Sequence, residues 1–283
     1  MDLPAGAQTG CIRPEPLDSC AAVLRVVDLY CLSMLGVLRT AAPRTCAVAV
    51  AVSLAILITR GDTMAALTEP RSRPGAEPAG EPLLHEEFSV GWETRWMRKK
   101  LRRFTADNTW DRDAPGDFLR VTSERSAGAL WRTLDAPTGP PGLRLSWRWR
   151  VDEAVDKAAR GRIRDERSRE GDDFAARLLI AFDAPHLDKS TSALAYVFGA
   201  AVPVGSEFRN PRLRNVATIV LRSGVASRGA WIEEVRDPVA DFVRVFGRTP
   251  RRLTTVAIVV DTDDTKSTVR SAFDELRIDR VTR

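Results

Sequence analysis

Hydrophobic and polar positions alternate along several short stretches of this chain. The clearest is residues 143–151. There Leu143, Leu145, Trp147, Trp149 and Val151 fall on one side, and Arg144, Ser146, Arg148 and Arg150 on the other. A period of two is the mark of a strand with one face in a core and one in water. Residues 118–124 (FLRVTSE) alternate in the same way, and residues 130–134 are expected to return antiparallel beside them. Two runs lack a polar face. Residues 171–183 read GDDFAARLLIAFD and residues 256–265 read VAIVVDTDDT, each a continuous apolar stretch beside clustered acids. Such runs predict central strands buried on both faces. Residues 193–198, 216–222, 230–236, 253–260 and 271–278 complete the expected strands. Residues 238–246 (PVADFVRVF) predict the one short helix, with proline at its start. Many short strands and a single helix predict an all-β, antiparallel β-sandwich, jelly-roll-like, over residues 83–283.

Two stretches fit this pattern poorly. Residues 92–110 carry Arg95, Arg98, Lys99, Lys100, Arg102 and Arg103 and suit either a helix or a twisted edge strand. Residues 152–170 are charged throughout and read as a solvated insertion, with a helix, a loop or a lid as its forms.

The N-terminal part follows a different pattern. Residues 46–58 (CAVAVAVSLAILI) form an uncharged apolar run, preceded by Arg39 and Arg44 and followed by small residues around Ala65 and Ala66. A basic start, a short apolar centre and a small-residue exit mark a secretory signal peptide. The run is shorter than the roughly 20 residues that a spanning helix needs. Residues 1–66 are therefore expected to be an N-terminal extension and signal peptide, with Met34 as a more natural start. An uncleaved anchor is the other reading. Residues 67–82, rich in proline, glycine and charge, predict a linker. Either way the folded part is expected in the periplasm or outside the cell; the cleaved, mature form is expected to hold no membrane span.

Composition narrows the chemistry. The formal net charge is +5, and only five of the 43 basic residues are lysines. Such an arginine excess also arises from GC-rich codon usage, and no nucleic-acid partner is expected. All four cysteines lie at or before Cys46, so the domain holds no disulfide or thiolate site. With His85 and His186 as the only histidines, neither a zinc site nor a Ser-His-Asp triad is expected. No Gly-rich phosphate loop or dinucleotide fingerprint occurs.

What remains is acidic or aromatic. Arg177 sits in an apolar run and needs a buried acid, for which Asp173 at i+4 spacing or acids on neighbouring strands would serve. Asp172, Asp173, Asp261 and Asp263 would converge if the two apolar strands are neighbours, with Arg177 and Arg236 as the compensating cations. Asp261, Asp263 and Asp264 in DTDDT would suit calcium, or would cap their own turn; the loop lacks the EF-hand pattern. With Glu234, these acids also supply candidate pairs for a polysaccharide-active enzyme, a hydrolase or lyase. Trp147 and Trp149 read as core. Tyr196 and Trp231 are candidates to stack on a sugar ring, with Trp231 the better exposed. No residue is assigned a catalytic role, no cofactor is required, and a monomer is expected. The leading expectation is a non-catalytic binding module for a glycan or another cell-envelope ligand, with a structural envelope protein as a further class.

The order of motifs carries a resemblance. GDDFAARLLIAFD is followed by LAYVFG (194–199), NP (Asn210, Pro211), SG (Ser223, Gly224) and W-x-x-E-x-R (Trp231, Glu234, Arg236). Then come D-F-x-x-x-F-G (241–247) and VAIVVDTDDT. From about Phe88 to Ile278 the chain resembles the bacterial family catalogued as domain of unknown function 3047. That resemblance implies an exported or periplasmic single domain and brings no activity. Relatives tend to read R-N-V before an acid and an aromatic, where this chain has Arg236, Asp237 and Pro238.

If the signal is cleaved, N-terminal sequencing of the exported protein should begin between about Ala65 and Pro70. Recovery of the uncleaved chain from the cytosol would contradict this.

Overall fold

The structure, a computed structural model, describes residues 82–101, 107–139, 142–156, 164–184 and 192–281. The expected signal segment and most of the linker lie outside the described residues, as does His186. Among the described residues no helix is long and apolar enough to cross a membrane.

Two sheets pack face to face, as the alternation predicts. The six-stranded sheet contains β1 (Leu84–Glu86), β3 (Thr109–Asp113), β4 (Phe118–Glu124), β6 (Leu143–Glu153), β11 (Ile232–Arg236) and β13 (Thr268–Arg280). Its order is β11-β6-β13-β4-β3, with β1 also pairing to β13. The seven-stranded sheet runs β2 (Met97–Lys100), β5 (Ala127–Pro137), β12 (Arg252–Asp261), β7 (Phe174–Phe182), β8 (Ser192–Gly199), β10 (Val216–Ser223) and β9 (Glu207–Arg209). The charged stretch 92–110 thus supplies a 3-10 turn at Trp92–Thr94 and an edge strand to each sheet.

The pairing is antiparallel with one exception: β8 and β10 run parallel, joined by a crossover that carries β9. A second difference concerns residues 130–134. They belong to β5, which leaves β4 after Arg125 and Ser126 and joins the opposite sheet, where it pairs with β12. The short link cannot close as a hairpin because Thr262 and Ser126 tie it to the far sheet. Thr262 N–H donates to the Ser126 carbonyl at 2.9 Å, and Ser123 Oγ lies 3.0 Å from Thr262 Oγ1.

The core between the sheets takes Trp147, Trp149, Leu178, Ile180, Phe182, Tyr196, Phe198 and Ile258. On β6 the inward residues are buried and the outward ones part-exposed, as alternation requires. On β7 every residue is buried. A second apolar cluster, with Trp131, Leu179, Val197 and Val259, lies on the other side of that sheet. The helix α1 (Pro238–Phe246) has its predicted bounds for local reasons. Asp237 Oδ1 accepts from Val239 N–H at 3.0 Å and Ala240 N–H at 2.9 Å, and Gly247 closes the other end at φ 69°. Phe242 then buries its ring against Phe182, centroids 4.7 Å apart.

Where it is described, the insertion before β7 is largely solvated, as expected, with Arg167, Arg169 and Glu170 exposed, but it is anchored at one buried acid. Glu166 is fully buried and accepts from Ala200 N–H at 2.7 Å, Ala201 N–H at 2.9 Å and Val202 N–H at 3.1 Å. Three backbone donors offset the cost of desolvating one carboxylate. The chain then doubles back so tightly that a Cβ on Gly171 would collide with the Asp165 carbonyl. Gly171→Ala should therefore lower stability by about 1–3 kcal/mol in denaturant unfolding. An unchanged midpoint would show that the turn can relax.

Candidate functional site

The two apolar strands are neighbours, β12 beside β7, and this pairing brings their acidic ends together. Arg177 points to the outer side of the seven-stranded sheet and is almost wholly buried. Its NH2 lies 3.3 Å from Asp261 Oδ1 and 3.4 Å from Asp172 Oδ1, and its guanidinium stacks over Phe174 at 4.5 Å. Asp261 also accepts from the Phe174 N–H at 3.0 Å. Asp173 accepts from Thr265 N–H and Oγ1, both at 2.6 Å, and so fixes the turn after β12.

Three partners were not legible in the sequence. Asn210 donates to both Asp172 oxygens, at 2.9 and 3.0 Å, while its own Oδ1 accepts from the N–H groups of Arg212 and Leu213. Arg212 bridges Asp172 and Asp264. Arg164 donates to the Asp264 carbonyl at 2.9 Å. Only the NP motif hinted at Asn210; Arg212 and Arg164 lie 52 and 100 residues in sequence from the Asp264 they bind.

Burial pushes Asp172 up from the ordinary carboxylate range, against the pull of Arg177. Burial pushes Asp261 well up, opposed by Arg177 and reinforced by the nearby charges of Asp173, Asp172 and Asp263. Burial and the crowding of carboxyls thus both favour the neutral form of Asp261. Asp173, Asp263 and Asp264 bring ligand atoms within 4.8 Å of one another. The acids that gather thus differ from the expected calcium set: Asp261 turns to Arg177, and Asp173 takes its place.

The other candidate residues do not join this cluster. Tyr196, expected as a stacking platform, is fully buried in the core and donates from its hydroxyl to Asp241 Oδ2 at 2.8 Å. Burial, and then the Asp241 charge, push its phenol well above the ordinary value. Arg236, expected to compensate the strand-end acids, instead forks onto Asp241 at 2.9 and 2.6 Å. Burial raises Asp241, but hydrogen bonds from Arg236, Arg244 and Tyr196 outweigh it and hold the carboxyl below the ordinary value. This triangle clamps α1 to the sheet. Glu234 is buried as well, accepting from Trp149 Nε1 at 3.1 Å and Arg222 Nε at 2.8 Å.

Trp231, like Arg236, is part-exposed, and it lies on the outer face of the six-stranded sheet. The guanidinium carbons of Arg148 and Arg150 lie 5.0 and 5.1 Å from its ring centroid, and Phe118 meets it edge-on at 5.2 Å. Elsewhere, an open cavity of about 470 Å³ is lined by Ser192, Arg209, Arg214, Asn215 and Phe246, without a carboxylate.

The profile of the family described as "Protein of unknown function (DUF3047)" matches residues 94–277. The chain belongs to this family. No curated protein sequence matches it. Among solved structures, it is similar to the xyloglucanase domain of NopAA, a type three effector from Sinorhizobium fredii, in complex with cellobiose. The TM-score is 0.38 at 9% identity, covering 69% of this chain and 96% of that one. It is similar to the family 11 carbohydrate-binding module from Clostridium thermocellum in complex with a β-1,3-1,4-mixed-linked tetrasaccharide. There the TM-score is 0.35 at 7% identity, covering 70% and 96%. The CBM22-1 xylan-binding domain from Paenibacillus barcinonensis Xyn10C gives 0.36 at 11% identity, covering 74% and 99%. Likenesses this distant carry no functional argument.

Arg177→Leu should strand Asp172 and Asp261 and cost about 3–5 kcal/mol at pH 7. The sign of its pH dependence follows from the raised carboxyls. A raised folded value favours the fold at low pH and loses that advantage as pH rises. Removing Arg177 lifts both acids further, so the deficit should narrow as pH falls toward about 4. Denaturant unfolding at the two pH values checks this, and a deficit that widens in acid would contradict it.

Proposed function

We propose that this DUF3047 domain is an exported, non-catalytic module that binds an extended glycan of the cell envelope across Trp231. The observation that carries the reading is the half-open indole on the outer face of the six-stranded sheet, seated over Arg148 and Arg150 beside Phe118. An indole held by stacked guanidiniums loses little freedom when a sugar ring packs on it, and arginines at its rim can donate to sugar oxygens.

The strand-end acids support a binding role over a catalytic one. A glycosidase needs two carboxyls flanking a sugar bond in an open cleft. Asp172, Asp173, Asp261 and Asp263 are each at most 4% exposed and engaged from within. Export rests on the basic and apolar pattern ahead of residue 66.

Trp231→Ala should weaken binding to the preferred glycan roughly tenfold to a hundredfold, read by calorimetry after a glycan-array screen. The parent should release no reducing ends from the same glycan. Equal affinity in the variant would move the site elsewhere, and turnover would replace the reading with an enzyme.

A further inference from the structure

A second constellation lies where β1 meets β13, away from Trp231 and from the buried acids. His85 on β1 pairs in register with Arg277, and the β13 strand bulges between Asp274 and Arg277. Glu275, inside that bulge, holds φ 50°, a left-handed conformation that costs a non-glycine residue energy. Its carboxylate reaches His85, Oε2 to Nε2 3.4 Å, and Glu87 Oε1 reaches the same nitrogen at 3.6 Å.

These spacings are long for charge-assisted hydrogen bonds, which close to about 2.7–2.9 Å. The His85–Glu275 spacing matches the separation of two ligands on a tetrahedral ion, and the His85–Glu87 spacing exceeds it by about 0.2 Å. Zinc bonds of about 2.0–2.1 Å to nitrogen and oxygen place neighbouring ligand atoms roughly 3.3–3.4 Å apart. One atom from each of His85, Glu87 and Glu275 lies within 4.8 Å of the other two. An imidazole nitrogen with two carboxylates selects a transition metal over calcium, whose ligands are oxygens.

We infer that His85, Glu87 and Glu275 form a surface site for a divalent transition-metal ion of the zinc class, with water in the fourth position. The ion would staple β1, the first described strand, to the bulge of β13. The proposal departs from the sequence expectation against zinc, which rested on the scarcity of histidines: here one histidine would be joined by the nearby Glu87 and the distant Glu275.

The test is calorimetric titration of the full chain with Zn²⁺, its four cysteines alkylated so that thiolates do not compete. Co²⁺ absorption serves as a ligand-geometry probe. All three side chains are part-exposed, 33–44%, so His85→Ala and Glu275→Gln should keep the parent circular dichroism. The expected result is one ion bound, and a loss of affinity in each variant of more than about tenfold, since even outer-shell changes cost that much. Zn²⁺ should also raise the melting temperature of the parent and not that of His85→Ala. No binding, calcium bound in preference to zinc, or affinity unchanged in His85→Ala would each overturn the site.

Discussion

A guanidinium out of water must be matched by acids, and Arg177 imposes that demand at the centre of the larger sheet. Its neighbours along β7 are apolar and fully buried, so no solvent can serve it. Asp261 answers from the adjacent strand and Asp172 from the residues just before β7. Those acids then need donors of their own. Asn210 and Arg212 supply them from the link between β9 and β10, and Thr265 holds Asp173 from the turn between β12 and β13. Three connections far apart in sequence are thereby fixed at one end of the sheet by acids shared between two buried cations, Arg177 and Arg212.

That arrangement bears on the proposed glycan site. The seven-stranded sheet has buried apolar clusters on both sides, while β6 of the six-stranded sheet keeps the alternation of a wet face. The acids that could perform hydrolysis are committed to Arg177, to Arg212 and to backbone donors. Trp231 stands on the sheet whose outer face is open. The division of labour follows from desolvation: a carboxylate that must balance a buried arginine is poorly placed to exchange protons with a substrate.

Much of this was legible because the signals were local. The 2-residue period marked β6, and a continuous apolar run marked β7 and β12. Proline, an Asp N-cap and glycine bounded α1. The convergence of Asp172, Asp173, Arg177, Asp261 and Asp263 was readable too, since both runs end in acids. What failed depended on long-range geometry. Nothing near residue 130 announces that β5 crosses to the other sheet, because the ties come from Thr262. The sequence assigns Tyr196 to a sugar ring and Arg236 to the strand-end acids because nothing local shows that both meet Asp241 on the helix. Arg212, the second cation of the acidic cluster, looked like one arginine among many.

The central claim is that Arg177 and the strand-end acids form one coupled structural unit. A double-mutant cycle on Arg177→Leu and Asp261→Asn, followed by equilibrium unfolding at neutral pH, measures that coupling. The account predicts that the double variant is more stable than the sum of the single losses implies, by about 1–3 kcal/mol. Additive losses, agreeing to within about 0.5 kcal/mol, would show two independent side chains and contradict it.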